Sequence, residues 1–348
     1  MPEKIPSTAA RFKVGQQSAK ATPATNLICG TMQMSSMNTA RDAVDKGGEH
    51  GCPTGVDRAT THKSMTRYSS YIVRGGFRGF MYPDLIGYLL LGAGFAVTTT
   101  AGSGPTAGTY SHVFTLAARS ALPWLSVESQ IGTKNRQASD VRVDKLTLTA
   151  NNQGFRYDGT YVGLTEGVVP GSGITIVNED EAEILGSRGS MVLNYDPDGT
   201  PTAMIAGEEE GFSLVINNPL NTDQQKLFAF GRSDLPQNGV DVTGRVEGLY
   251  TDYNNYERIN NGGVSNNAPS DKCAIAKLDT TFQSAELIAS TAVPRSLRVE
   301  LAHAEVTLDD FQAEGTNLIE WNFPYRMVDD NTTPIRITLV NSYPSYAA

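Results

Sequence analysis

The chain has 348 residues, 39% of them apolar and 19% charged, so it can bury one large core or two ordinary ones and is not a disordered polymer. Its net charge of −9 argues against tight, nonspecific DNA binding, which sets cations against phosphates. Three scattered cysteines, Cys29, Cys52 and Cys273, do not make a disulfide framework and fit assembly in a reducing cytoplasm.

The first 25 residues read as a basic arm with no apolar stretch of the secretory kind. Up to Arg41 the acid Glu3 stands against Lys4, Arg11, Lys13, Lys20 and Arg41, which leaves this end at about +4 and the remainder at about −13. Two readings stand for the arm: subunit-to-subunit docking, or a frayed polar terminus. The strand ICGTMQMSSM follows. After it comes a long loop, 38–65, rich in Gly, Thr and charge. His50, Cys52 and His62 share that loop with Cys29 nearby, but their spacing matches no zinc pattern, so no metal is expected. Next, VRGGFRGFMYPDLIGY runs from a Gly-spaced strand into a helix, with Asp84 as its N-cap and Gly92 or Gly94 as its stop. The apolar run Leu85–Leu91 is too short to span a bilayer.

Beyond the helix the chain reads as β. GAGFAV follows a helix, the wrong context for a dinucleotide fingerprint. Val141 and Val143 lie in odd register and Leu146 and Leu148 in even, which predicts a bulge in a long strand or a strand whose two halves are buried on opposite faces. Residues 166–209 form an acidic connecting segment with NEDEAE, GEEEG and the turn Asp196-Pro197-Asp198-Gly199. Phe212, Leu214 and Ile216 share a face, as do Val240, Val242 and Val246. Thr281–Ser290 mixes helix and strand signals. Leu297, Val299 and Leu301 switch phase to Val306 and Leu308. Ile319, Trp321 and Phe323 alternate, and so do Ile335, Ile337 and Leu339, before a short tail, 341–348.

VRGGFRGFMYPDLIGY has a counterpart in VTGRVEGLYTDYNNY. Gly75 and Gly79 match Gly244 and Gly248; Asp84 and Tyr88 match Asp252 and Tyr256. VRVDKLTLTANNQGFRYDGTYVG likewise matches the stretch that begins at Leu297. Order and spacing favour two copies of one β-rich unit, 26–165 and 210–340, over chance. No phosphate loop and no Gly-x-Ser-x-Gly elbow occur. Isolated His112 and His303 read as structural residues. Tyr250, Tyr253 and Tyr256 suit interface or core packing more than a sugar platform.

SHVFTLAARSALPWLSVESQIG, with His112, Phe114, Leu122, Pro123, Leu125 and Glu128, resembles a stretch of the tail tube proteins of long-tailed bacteriophages. VRVDKLTLTA, GRVEGLY and WNFPY…PIRITLVNSYPS resemble later parts of that family. The resemblance implies an all-β fold with one or two short helices: a β-sandwich unit, here in tandem, whose strands join those of neighbours in a closed ring barrel. It implies a structural virion protein of the tail, not an enzyme, without cofactor. Its copies would be assembled in the host cytoplasm into stacked rings around an acidic lumen through which the DNA genome passes. Two copies per chain imply a ring of three with pseudo-sixfold symmetry; one copy implies a hexamer. Further partners would be the tape measure, tail terminator and distal tail proteins. Candidate lumen acids are Glu128, Asp144, Glu247, Glu300 and Glu320, because an acid in a strand needs a solvated face. Candidate inter-ring contacts are Lys4, Arg11, Lys13, Arg41, Asp42, Asp45, Lys46, Asp57 and Arg58. Two other functions compete: a virion-surface module that binds receptor or glycan, and a β-class hydrolase built on carboxylates such as Glu247 and Asp252.

Overall fold

The structure, a computed structural model, describes residues 10–30, 32–44, 67–118, 122–131, 134–169, 175–178, 182–195, 202–205, 209–222, 232–249, 254–263, 268–270, 273–308, 320–329 and 333–346. The first half holds β1 (Ala10–Gln16), β2 (Asn26–Gly30), β3 (Met32–Val44), β4 (Arg67–Phe80), α1 (Pro83–Gly92), β5 (Phe95–Ala101), β6 (Tyr110–Leu116), β7 (Leu125–Ile131), β8 (Lys134–Asn151) and β9 (Gly154–Val169). Then come β10 (Thr175–Asn178), β11 (Ile184–Tyr195) and β12 (Thr202–Ile205). The second half holds β13 (Glu209–Asn217), β14 (Asp241–Leu249), α2 (Asn254–Asn261), β15 (Ala274–Leu287), β16 (Pro294–Val306), β17 (Glu320–Met327) and β18 (Ile335–Asn341). The fold is thus mostly β with two short helices.

Every named strand pair is antiparallel except β2 with β10. In the first half the order is β3-β4-β9-β8-β7, and β1 then pairs with β7. In the second it is β13-β14-β17-β16-β15, and β11 then pairs with β15. The resulting sheet is large and does not close into a barrel within the chain. Among the described residues β3, β5, β10 and β12 are edge strands.

Two long strands turn corners. β8 keeps β9 on one side throughout, while its other side meets β7 up to Val141 and β13 from Lys145. The register slips between Val143 and Lys145, so Asp144 is the extra residue of a bulge. Asn218 pins that corner: its backbone N–H donates to the Asp144 carbonyl and its side-chain amide to the Val143 carbonyl, each at 2.8 Å. β16 slips where Ala276 faces Ala304 and Leu278 faces Leu301. These are the two predicted phase switches. They let one strand bury opposite faces along its length.

The core is continuous and is filled by the inward residues of both halves around α1, all ten of whose residues are buried. A Gly–Tyr arrangement recurs in it. Tyr161 lies opposite Gly75 and its hydroxyl donates to the Ser36 carbonyl at 3.0 Å. Tyr325 lies opposite Gly244 and its hydroxyl donates to the Ser213 carbonyl at 2.8 Å. A Cβ on either glycine would overlap the tyrosine ring.

Some expectations change. The α1 N-cap is Tyr82, and Pro83 opens the helix because its missing N–H needs no partner there. Asp84 is instead a buried first-turn residue. Thr281–Ser290 is strand through Leu287 and then a turn. Asn38–Val44, assigned to the long loop, belongs to β3; residues 45–66 lie outside the described residues. The segment 166–209 carries β10, β11 and β12.

Candidate functional site

A continuous sheet, β3-β4-β9-β8-β13-β14-β17, crosses from the first half to the second at the β8–β13 joint, where Lys145 faces Asn217 and Asn151 faces Gly211. Period-two alternation gives it one face packed on the core, with Phe77, Tyr161, Leu148, Leu214, Val246 and Phe323, and one open face. The open face carries Arg74 and Arg78 on β4, Arg156 and Asp158 on β9, Lys145 on β8, Asp241, Arg245 and Glu247 on β14, and Arg326 on β17. Asp158 faces Arg78 across the β4–β9 pair. Arg156 lies over the Phe80 ring at 4.9 Å. Arg245 pairs with Glu247, and Arg326 with Asp241 at 3.2 Å.

One end of this face is covered. Val162 belongs to it by register, opposite Arg74, yet is buried with Ile72, Leu164 and Leu235. Trp124 packs on that cluster and is stacked by Arg142 at 3.8 Å and Lys20 at 4.9 Å. Lys20 also pairs with Asp234 at 3.2 Å. Burial lowers the Arg142 pKa, although Asp234 opposes the shift.

The candidate acids are dispersed. Glu247 is on the open face, and Glu320 lies in β17 opposite Leu249. Asp144 is half-buried at the corner of β8. Glu300 is on the outward face of the β15-β16-β18 sheet, 3.0 Å from Arg298, which also binds Asp279 through two hydrogen bonds and holds its carboxyl below the usual range. Glu128 does not reach the surface. It is 1% exposed and accepts a hydrogen bond from Lys13, also 1% exposed, at 2.8 Å. Burial against each other removes this acid from the lumen set and this base from the docking set. Arg11 lies in β1, and Arg41 and Asp42 in β3; Lys4, Asp45, Lys46, Asp57 and Arg58 fall outside the described residues.

The cluster under α1 was not legible in the sequence. Tyr346 presses its ring against Gly87, and its hydroxyl donates to the Pro83 carbonyl at 3.0 Å. His112 Nε2 faces the Asn341 Oδ1 and the Tyr343 carbonyl, both at 3.0 Å, so Nε2 carries the proton and Nδ1 accepts from the Thr99 hydroxyl at 2.8 Å. Burial holds the His112 pKa below its ordinary value. Asp84 is buried nearby; desolvation raises its pKa to about 6 against the pull of Arg295. This is a structural clasp: both ring nitrogens of the histidine are taken up by fixed partners. Among the described residues no group of three His, Cys, Asp or Glu is placed to hold a metal, and no helix is long and apolar enough to cross a membrane. His50, Cys52 and His62 lie outside the described residues.

One large, mostly antiparallel sheet that runs through both halves, with the 13-residue strand β3 at an edge and a mixed-charge open face, is the frame of a mostly β protein. Residues 65–321, about three-quarters of the chain, match the sequence profile of the phage tail tube protein family, and the chain belongs to that family. It is therefore a structural protein of the phage tail and not an enzyme, and its family assembles into a tube of the virion tail. No curated protein matches the chain.

Proposed function

We propose that the chain is a tandem tail tube unit, three copies of which close a ring with pseudo-sixfold symmetry. The ring stacks into a tube, and the sheet's open face lines the channel that the DNA genome crosses. The observation that carries this reading is the pair of matching strand orders, each with its Gly–Tyr pocket, joined edge to edge at β8–β13. That internal joint supplies a pattern for the joint between chains, with the long edge of β3 in the place that β13 takes inside the chain. Closing a sheet on itself in this way removes edges that would otherwise pair indiscriminately. Stacking would use the remaining docking candidates: Lys4, Arg11, Arg41, Asp42, Asp45, Lys46, Asp57 and Arg58. Glu247, Glu320 and Asp144 stay as candidate channel acids. Tape measure, terminator and distal tail proteins are the proposed tail partners, and the host cytoplasm the place of assembly.

The test is negative-stain electron microscopy of the purified chain across a concentration series, with mass photometry. Stacked rings and a three-chain mass support the proposal. A six-chain ring would refute the tandem reading, and discrete particles that never stack would count against the tube.

A further inference from the structure

The open face is not uniformly acidic, and its charges differ between the halves. With Gly75 matched to Gly244 and Tyr161 to Tyr325, Arg78 occupies the place of Glu247, and Arg156 the place of Glu320. In the second half the arginines of this face are neutralised by Glu247 and Asp241. In the first half Arg74, Arg78 and Lys145 are exposed and have no ion-pair partner among the described residues; Arg156 is exposed above Phe80, and Asp158 is the carboxylate among them. At about 3.3 Å per residue and about 4.8 Å per strand, the four cations, which run from Arg74 to Arg156 opposite Phe80, fall in a patch roughly 20 Å long and 10 Å wide. That length spans about six nucleotides of one strand of a duplex at a 3.4 Å rise.

We infer that Arg74, Arg78, Lys145 and Arg156 form a contact surface for the phosphate backbone of double-stranded DNA, set in a chain whose net charge is −9. The inference rests on the reading of this face as the channel wall. In a three-chain ring, basic sectors would alternate with neutral or acidic ones. Three to four phosphates held weakly in each basic sector, with the neighbouring sector repelling them, would guide a duplex without trapping it.

The test is fluorescence anisotropy of a labelled 20-base-pair duplex with the purified, unassembled chain at 50 and 200 mM NaCl. Three to four phosphate contacts predict that binding weakens about 40- to 150-fold between these salts. Arg78→Glu with Arg156→Glu, which gives the first half the charges of the second, should weaken binding at 50 mM at least tenfold. Arg298→Ala, on the other sheet, should leave it unchanged. An Arg78→Ala, Arg156→Ala chain with an unaltered thermal melt separates lost contact from lost fold. No binding by the unaltered chain at 50 mM, equal binding by the charge-reversed chain, or equal competition by poly-glutamate would each overturn the inference, the last by assigning the patch to an acidic polypeptide. Microscopy of the same purified chain, concentrated across the series used to look for rings, separates the two readings. Tubes without duplex binding refute the contact alone, and duplex binding without tubes refutes the tube alone.

Discussion

Lys13 and Glu128 lie 2.8 Å apart with 1% of each side chain exposed, so removing either leaves a charge where water cannot reach it. Glu128→Ala should cost about 3–5 kcal/mol in urea unfolding, whereas Lys13→Met combined with Glu128→Leu should be near neutral or stabilising. Asp84 makes a different prediction. Its folded pKa, about 6, lies above the ordinary carboxyl value of 3.8, so the folded state binds the proton more tightly between those values. Stability from this group is fully present below about pH 4 and is lost as pH rises to about 6, by up to roughly 3 kcal/mol. His112 runs the other way: its lowered pKa makes its contribution fall as pH drops through 6.5. Asp84→Asn should therefore raise stability at pH 7.5 more than at pH 4.5, and the difference between the two unfolding curves isolates Asp84.

At the scale of elements, the paired Gly–Tyr pockets fix how β4 and β14 approach their neighbours. Tyr161→Phe and Tyr325→Phe each remove one hydroxyl bond to a strand carbonyl and should lower stability by about 1 kcal/mol. Gly75→Ala or Gly244→Ala should cost more, about 1–3 kcal/mol or beyond, because the ring must move and the core around it is packed. A thermal melt of the four variants ranks them. The strands with strict alternation, β13, β14, β17 and β18, were legible from their apolar positions, as was α1 from Pro83 and its apolar run. The far end of β3 was not, because Asn38–Val44 is polar and is held by backbone pairing to β4. Nor was β15, whose FQSAEL carries helix-forming residues while Phe282 and Ser284 alternate into the interior. The sign of the open face is not legible in the alternation, because a solvated strand face admits either charge. Glu128 looked solvated because nothing local announces Lys13, which lies 115 residues away.

For the whole molecule, the two halves depend on each other. Without the second half, β8 loses the partner of its last seven residues and α1 loses the clasp of Tyr343 and Tyr346. A chain cut after residue 208 should therefore form large, polydisperse species by light scattering under conditions where the full chain does not. A monodisperse, cooperatively melting fragment would show that the halves are independent. The same dependence has a consequence in time. β13 is synthesised about 66 residues after the strand edge it covers, which at 5–20 residues per second leaves that edge bare for roughly 3–13 s on the ribosome. On a heavily translated message, neighbouring nascent chains would offer β13 segments to the wrong β8, so the rate of elongation through residues 152–217 becomes a determinant of yield. Rare codons placed there should lower the soluble fraction without changing a single residue.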